Sequence, residues 1–284
     1  MKEHKQKHTG LCITKDRIVG TTAHIENKTM IITDAMEMKR SSTIDEDIAE
    51  FITTYNLLEG TYSVVACIQT EMTLATYDPH DFDVKEFIKW NIEDTFNFGD
   101  HEFELDACRR EYPRHHYYLF LAAIDRHELE LLRQGIRETC APVDTIDCWP
   151  LPVTYGLLHR TGTVTGIVEP EGMHLWAWWK DICVKECIVK VNGADISSAL
   201  IDLEEALQQF GVEEIKGVHF YNIDDLNEEQ RIDISALQEV YGNTEYLPMM
   251  FLGRGRTRCK LGELDWDMAI GMATRGLRWI GQGW

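Results

Sequence analysis

The sequence predicts an α/β chain made of two lobes that repeat one unit and face each other across a cleft. Three observations carry this reading. A three-stranded meander, a helix, a strand and a helix follow one another from about Leu11, and the same order restarts at Thr161. The apolar runs at Tyr62 to Ile68 and Tyr117 to Ile124 are continuous and strand-sized, as in strands covered on both faces. A length of 284 residues with 44% hydrophobic residues suits roughly two domains with real cores. The expected division is a first lobe over 1–160, carrying a small inserted subdomain at about 78–113, and a reduced second lobe over 161–284.

In order, Met1 to Gly10 is polar and reads as a frayed tail without the apolar core of a secretory signal. Leu11 to Ile13, Ile18 to Ile25 and Thr29 to Thr33 are β-favouring runs separated by short polar turns. Thr43 with Glu46 spells a capping box for a helix whose Ile44, Ile48, Phe51, Ile52, Tyr55 and Leu58 recur at helical spacing, with Gly60 as its stop. A second helix is expected over Asp78 to Asn97, then strands at Phe103 to Cys108 and Tyr117 to Ile124. Asp125 with Glu128 caps a helix lined by Leu129, Leu132 and Ile136. Pro142 to Cys148 reads as a strand and Pro152 to Leu158 as a short helix. The second unit has strands at Thr161 to Val168, Met173 to Lys180 and Cys183 to Lys190, a helix at Ile196 to Phe210, a strand at Gly217 to Tyr221 and a helix at Glu228 to Tyr241. Trp266, Ile270, Ala273, Leu277 and Ile280 mark a final amphipathic helix.

A net charge of -20 argues against nucleic acid and anionic lipid as partners and favours a basic one. No run approaches the roughly 20 apolar residues of a spanning helix, so direct membrane insertion is not expected. Eight cysteines form no Cys-x-x-Cys pair and read as reduced thiols. Cys183 and Cys187 can share a strand face, and His115-His116 can add nitrogens, but structural zinc announces itself by tighter ligand pairs, so no metal is expected. The eleven histidines are scattered, and neither Gly-x-Ser-x-Gly nor His-Glu-x-x-His occurs.

Three segments, in chain order, resemble the PilM-type pilus assembly proteins of the actin, sugar kinase and Hsp70 superfamily. The first runs from Val84 to Glu93, then Phe98 and Phe103-Glu104-Leu105-Asp106, although Asn91, Asn97 and Gly99 depart from the family's pattern. The second is Tyr118 to Ile124 with Val143-Asp144-Thr145-Ile146-Asp147, and the third is Met268 to Leu277, similar to the family's Ala-x-Gly-Leu-Ala-Leu-Arg-Gly. The resemblance implies an actin-like (ribonuclease H-like) duplicated fold. It also implies a cytoplasmic scaffold at the inner face of the membrane for a type IV pilus or competence pseudopilus. Its expected partners are the cytoplasmic tail of a PilN-like single-pass membrane protein and the assembly motor ATPase, and homo-oligomers stay open. The family's tail groove lies in the first lobe, which makes Phe87, Trp90 and Phe98 the partner-binding candidates, with core packing as their alternative role.

An actin-like nucleotide site needs two hairpins whose backbone amides cradle phosphate, carboxylates for Mg²⁺, and a glycine turn at the adenosine. The first hairpin here spans Leu11 to Gly20 without Asp-x-Gly, leaving Lys15 and Asp16 in its turn. The second falls within Thr161 to Lys180, where no Asp occurs and Gly162 and Gly166 are the candidate close-approach positions. Asn222-Ile223-Asp224-Asp225 stands where the adenosine glycines are expected, and Gly253-Arg254-Gly255-Arg256 is a weak anion cradle or simply a polar turn. The expectation is a degenerate cleft without a required cofactor and without catalytic residues. The alternative is an ATP- and Mg²⁺-binding switch with altered phosphate loops.

Overall fold

The computed structural model describes residues 7–77, 83, 85, 86, 88, 96, 101–112, 116–223, 226, 233–242, 245–253 and 258–281. The first meander is β1 (His8–Ile13), β2 (Arg17–Glu26) and β3 (Thr29–Lys39), followed by helix α1 (Ile44–Thr54) and strand β4 (Thr61–Ala66). Strands β5 (Thr70–Tyr77), β6 (Phe103–Tyr112) and β7 (His116–Asp125) then form a separate antiparallel sheet in the order β5-β7-β6. Helix α2 (Arg126–Thr139), strand β8 (Val143–Asp147) and a 3-10 segment Leu151–Gly156 complete the first half.

The second half repeats the start. Strands β9 (Thr161–Glu169), β10 (Gly172–Trp179) and β11 (Ile182–Val189) form the meander, helix α3 (Gly193–Gln208) follows, and β12 (Gly217–Asn222) is the fourth strand. In both halves the first strand pairs antiparallel with the second and parallel with the fourth, so β3-β2-β1-β4 and β11-β10-β9-β12 share one order and polarity. Helix α4 (Ile234–Tyr241), strand β13 (Met249–Phe251) and helix α5 (Leu264–Gly281) end the chain.

Those last elements return to the first sheet. Strand β13 pairs parallel with β3, giving six strands in the order β13-β3-β2-β1-β4-β8, and α5 packs across β1, β2 and β4. Helices α1 and α2 cover the opposite face, where Leu11, Ile13, Ile18 and Val64 meet Ile48, Phe51, Ile52, Leu132 and Ile136. With helices on both faces, every residue of β1 is buried. Gly10 makes this possible, because a Cβ there would stand 2.1 Å from the Ala269 carbonyl oxygen, inside the α5 backbone. In the second sheet α3 buries Ile196, Ala199, Leu203 and Leu207, and Tyr118 of β7 reaches Phe210 with ring centroids 5.0 Å apart.

Several expectations are corrected. The tail does not fray at His8, because its ring nitrogens bond the Thr61 and Ser63 hydroxyls at 3.0 and 2.9 Å beneath α5, which satisfies a fully buried histidine. Thr43 precedes α1 without a side-chain cap bond. Instead the buried Asp47 accepts from the Ser41 and Ser42 amides and from Arg40 Nε at 2.9 Å. The turn out of α1 is made by Asn56 in the left-handed region, at φ 52°, whereas Gly60 is extended. Asp125 does cap α2, accepting from the Glu128 amide at 2.9 Å. Strands β5 and β13 were not expected. The helix expected over Asp78 to Asn97 lies outside the described residues except at isolated positions. Of these, Phe96 is buried on Leu119, Leu121 and Ala123 of β7.

Candidate functional site: the cleft between the repeated hairpins

The β1–β2 connection is the tight turn Thr14-Lys15-Asp16-Arg17. Two of its four amides are used internally: the Thr14 N–H donates to the Arg17 carbonyl at 2.9 Å and the Arg17 N–H to Thr14 Oγ1 at 3.3 Å. Lys15 and Asp16 are exposed on it. The β9–β10 turn faces it: burial raises the Glu169 carboxyl above the ordinary range, and the charges of His174 and Lys15 pull it back. Lys15 of the first hairpin is thus near enough to Glu169 of the second for its charge to act across the gap between them.

Gly162 and Gly166 do not belong to this gap. Gly162, at φ +84°, begins β9 at the far end from the turn, where a Cβ would meet Val212. Gly166 lies within β9, packed against the Phe220 and Leu175 side chains. Both glycines are thus packed against side chains of the second half, whereas Lys15 and Asp16 lie on the exposed turn. Phe87, Trp90 and Phe98 lie outside the described residues.

What fills the cleft is a guanidinium. Arg17 reaches Asp265 Oδ2 through Nε at 2.5 Å, Glu37 Oε1 through Nη1 at 2.9 Å and Glu263 Oε2 through Nη2 at 3.2 Å. Asp265 is only 2% exposed, so the pair is shielded from water, and the guanidinium is bound on three sides. Lys260 is held by Glu263 at 2.8 Å. Beside this cluster lies a cavity of about 550 Å³ lined by Asp16, Arg17, Tyr221, Asn222, Lys260 and Glu263. A second cavity of about 520 Å³ continues past Tyr221 and Gly262 to His219, Gln238 and Tyr246.

Behind that wall Asp267 accepts from Tyr221 Oη at 2.8 Å, Tyr246 Oη at 2.7 Å and the Gly262 amide at 3.1 Å. Burial pushes its carboxyl up to about 6 despite these donors. The same burial holds the His219 imidazole neutral, at about 4. Chemically the cleft presents Arg17 and Lys260, each paired with carboxylates, beside the buried tyrosines of the Asp267 wall. Among the described residues, no three His, Cys, Asp or Glu side chains stand together as a metal-binding group.

Sequence reasoning missed Arg17, Glu263, Asp265 and Asp267. The available signal was an Asp-x-Asp pair opening a helix whose neighbours are all apolar, at Asp265-Trp266-Asp267. Two of the three resemblance segments do meet. Arg275 of α5 ion-pairs with Asp147 at the end of β8, and its guanidinium carbon stands 5.5 Å from the centroid of the Tyr155 ring. Burial works against the charge of Arg275, and Asp147 with Tyr155 outweighs it.

No protein-family profile matches the sequence, and no curated protein matches it. Solved structures do. A chain of a PilM–PilN type IV pilus biogenesis complex is similar over 95% of this chain and 98% of its own, with a TM-score of 0.61 and 12% identity. The cytoplasmic domain of EpsL, an inner-membrane component of the Vibrio cholerae type II secretion system, aligns over 98% and 97% at a TM-score of 0.47 and 8% identity. A Bacteroides thetaiotaomicron protein with an actin-like ATPase fold aligns over 88% and 92% at a TM-score of 0.41 and 9% identity. The fold of this chain is the two-lobed actin-like one, as the sequence resemblance implied, and it resembles that of the PilM–PilN chain.

Proposed function

We propose that this chain is an actin-like scaffold for a type IV pilus, competence pseudopilus or related secretion machine. It holds the cytoplasmic tail of a PilN-like single-pass membrane protein and relays to an assembly motor ATPase. The observation that carries this reading is the likeness to the PilM–PilN chain across nearly the whole of both chains. In this reading residues 1–160 and 161–284 are the two lobes, the former carrying the inserted subdomain of about 78–113, and the tail lies on the first lobe near Phe87, Trp90 and Phe98. Attachment to the cytoplasmic face of the membrane is peripheral, through the partner. This accords with the finding that, among the described residues, no helix is long and apolar enough to cross a membrane. The acidic surface suits the Lys- and Arg-rich cytoplasmic flank of such a partner.

The cleft is, on the same reading, a nucleotide site that no longer grips ATP·Mg²⁺. Arg17 supports this. A guanidinium tied to Asp265, Glu37 and Glu263 occupies carboxylate oxygens that a metal would need, and the net negative charge that remains on the cluster repels phosphate.

The test is calorimetric titration of the full chain with a synthetic peptide of the PilN-like protein's cytoplasmic tail, and separately with ATP·Mg²⁺. Saturable peptide binding, weakened about tenfold by Trp90→Ala, is expected. Millimolar ATP·Mg²⁺ is expected to give neither heat nor a thermal shift. Unchanged affinity in Trp90→Ala removes that residue from the groove. No peptide binding overturns the scaffold reading, and micromolar ATP binding turns the chain into a nucleotide switch.

A further inference from the structure

Among the described residues strand β12 ends the second sheet, and its outer edge is met by a side chain. Gln238 of α4 donates Nε2–H to the Val218 carbonyl at 2.8 Å and accepts the Phe220 N–H on Oε1 at 3.2 Å. In a parallel ladder, one residue of a neighbouring strand gives one donor and takes one donor from edge residues two apart. The carboxamide of Gln238 supplies that donor and that acceptor, so it stands in for one residue of a further parallel strand.

The helix that delivers it is lightly held. Helix α4 is eight residues long and buries none of them. Ile234, Leu237 and Tyr241 pack only partly against the core, and the Tyr241 hydroxyl bonds Ser197 Oγ at 2.9 Å. Space flanks it on both sides along the strand. Toward Phe220 and Tyr221 lies the cavity of about 520 Å³. Toward Gly217 and Val218 lies an apolar groove of about 240 Å³ lined by Leu200, Ile201, Ile215 and Tyr241, with Glu204 among its walls. Exposed Glu205, Glu213 and Glu214 adjoin the groove in sequence and Glu239 lines the cavity, against one exposed cation there, Lys216, so the edge lies in a net acidic field.

We infer that the β12 edge is a second docking surface, taking an extended basic segment of a partner protein that runs parallel to β12. Apolar residues of that segment enter the groove and alternate with lysines or arginines facing the carboxylates. The incoming backbone replaces the two hydrogen bonds of Gln238, so little hydrogen bonding is lost in the exchange. This surface belongs to the second lobe and is independent of the tail reading for the first.

The probe is a ten-residue peptide of alternating Lys and Val, titrated into the full chain at near-physiological salt. Its control is the same peptide with every backbone amide N-methylated, which keeps charge and apolar content but has no N–H on either edge to give to the ladder. The unmodified peptide is expected to bind about tenfold more tightly than the control and to slow hydrogen exchange at the Phe220 amide. Gln238→Ala, which leaves nothing to displace, is expected to bind it more tightly still. Equal binding of both peptides reduces the effect to charge attraction and overturns the proposal, as does unchanged exchange at Phe220. Self-association of Gln238→Ala without peptide assigns the edge to a second copy of this chain and overturns the proposed occupant. The exchange measurement on the unaltered chain decides the matter even where the variant does not fold.

Discussion

On the first sheet the backbone of a helix rests on the backbone of the central strand, at Gly10, whereas on the second the corresponding strand β9 meets only side chains, at Gly166. The first sheet gains β13 at one edge and α5 across one face from the far end of the chain. The second has four strands, and its terminal strand β12 is met by one glutamine. One topology is thus finished in two ways. The rigid finish lies where the chain closes on itself, and the looser one leaves an edge within reach of a partner.

The same substitution in each sheet sharpens this contrast. A Cβ at Gly10 would stand 2.1 Å from the Ala269 oxygen and 2.2 Å from the Ala273 nitrogen, atoms that cannot move without moving α5. Gly10→Ala is expected to cost roughly 4 kcal/mol or more in denaturant unfolding, or to prevent folding. At Gly166 the nearest atoms are Phe220 Cδ1 at 2.7 Å and Leu175 Cδ2 at 2.9 Å, and side chains can turn. Gly166→Ala is expected to cost about 1 kcal/mol. Equal costs would break the comparison. Next in size is Arg17→Met, which strands the buried carboxylate of Asp265 and is expected to cost about 3 kcal/mol in the same assay. A loss below about 1 kcal/mol would show that the cluster does not hold the cleft together.

Both meanders and the Asp125 cap were legible in the sequence because they rest on short-range signals: alternation, turn residues and a three-residue spacing. Strand β5 was not, since Thr70–Tyr77 mixes polar and apolar residues and is specified by its pairing with β7. Strand β13 is three residues long and exists through its partner β3. Little of the cleft was legible. Lys15 and Asp16 could be placed on its turn, but the Arg17 cluster joins residues 17, 37, 263 and 265, and no local pattern reports such a meeting. Gly162 and Gly166 were misplaced because glycine announces a close approach without saying what approaches. Asp267 carried no expectation from the sequence, and the fold buries it beneath two tyrosines.

That burial gives the wall beside the second sheet a pH signature. The Asp267 carboxyl is raised to about 6 when folded, against about 3.9 in an unfolded chain. Between those values the folded state holds the proton more firmly, so this group's contribution makes stability fall as pH rises from about 4 through about 6. At full burial the difference is worth about 3 kcal/mol at most. Asp267→Asn keeps an acceptor for Gly262 and is expected to flatten that fall relative to the unaltered chain, read as the midpoint difference in urea at pH 4 and pH 7. Parallel curves would place the carboxyl in its ordinary range.

The smallest effect is expected where the second sheet is loosest. Gln238→Ala removes two neutral hydrogen bonds at a half-buried edge, and water can replace part of what is lost, so the expected cost is about 1 kcal/mol. The more telling reading is local. Exchange of the Phe220 amide is expected to accelerate by about tenfold or more, while amides of β1, sealed on both faces, keep their protection. If β1 and β12 accelerate together, the glutamine holds up the whole fold, and the contrast between a closed sheet and an open one is wrong. If only β12 responds, the second lobe can release its edge without loosening the first.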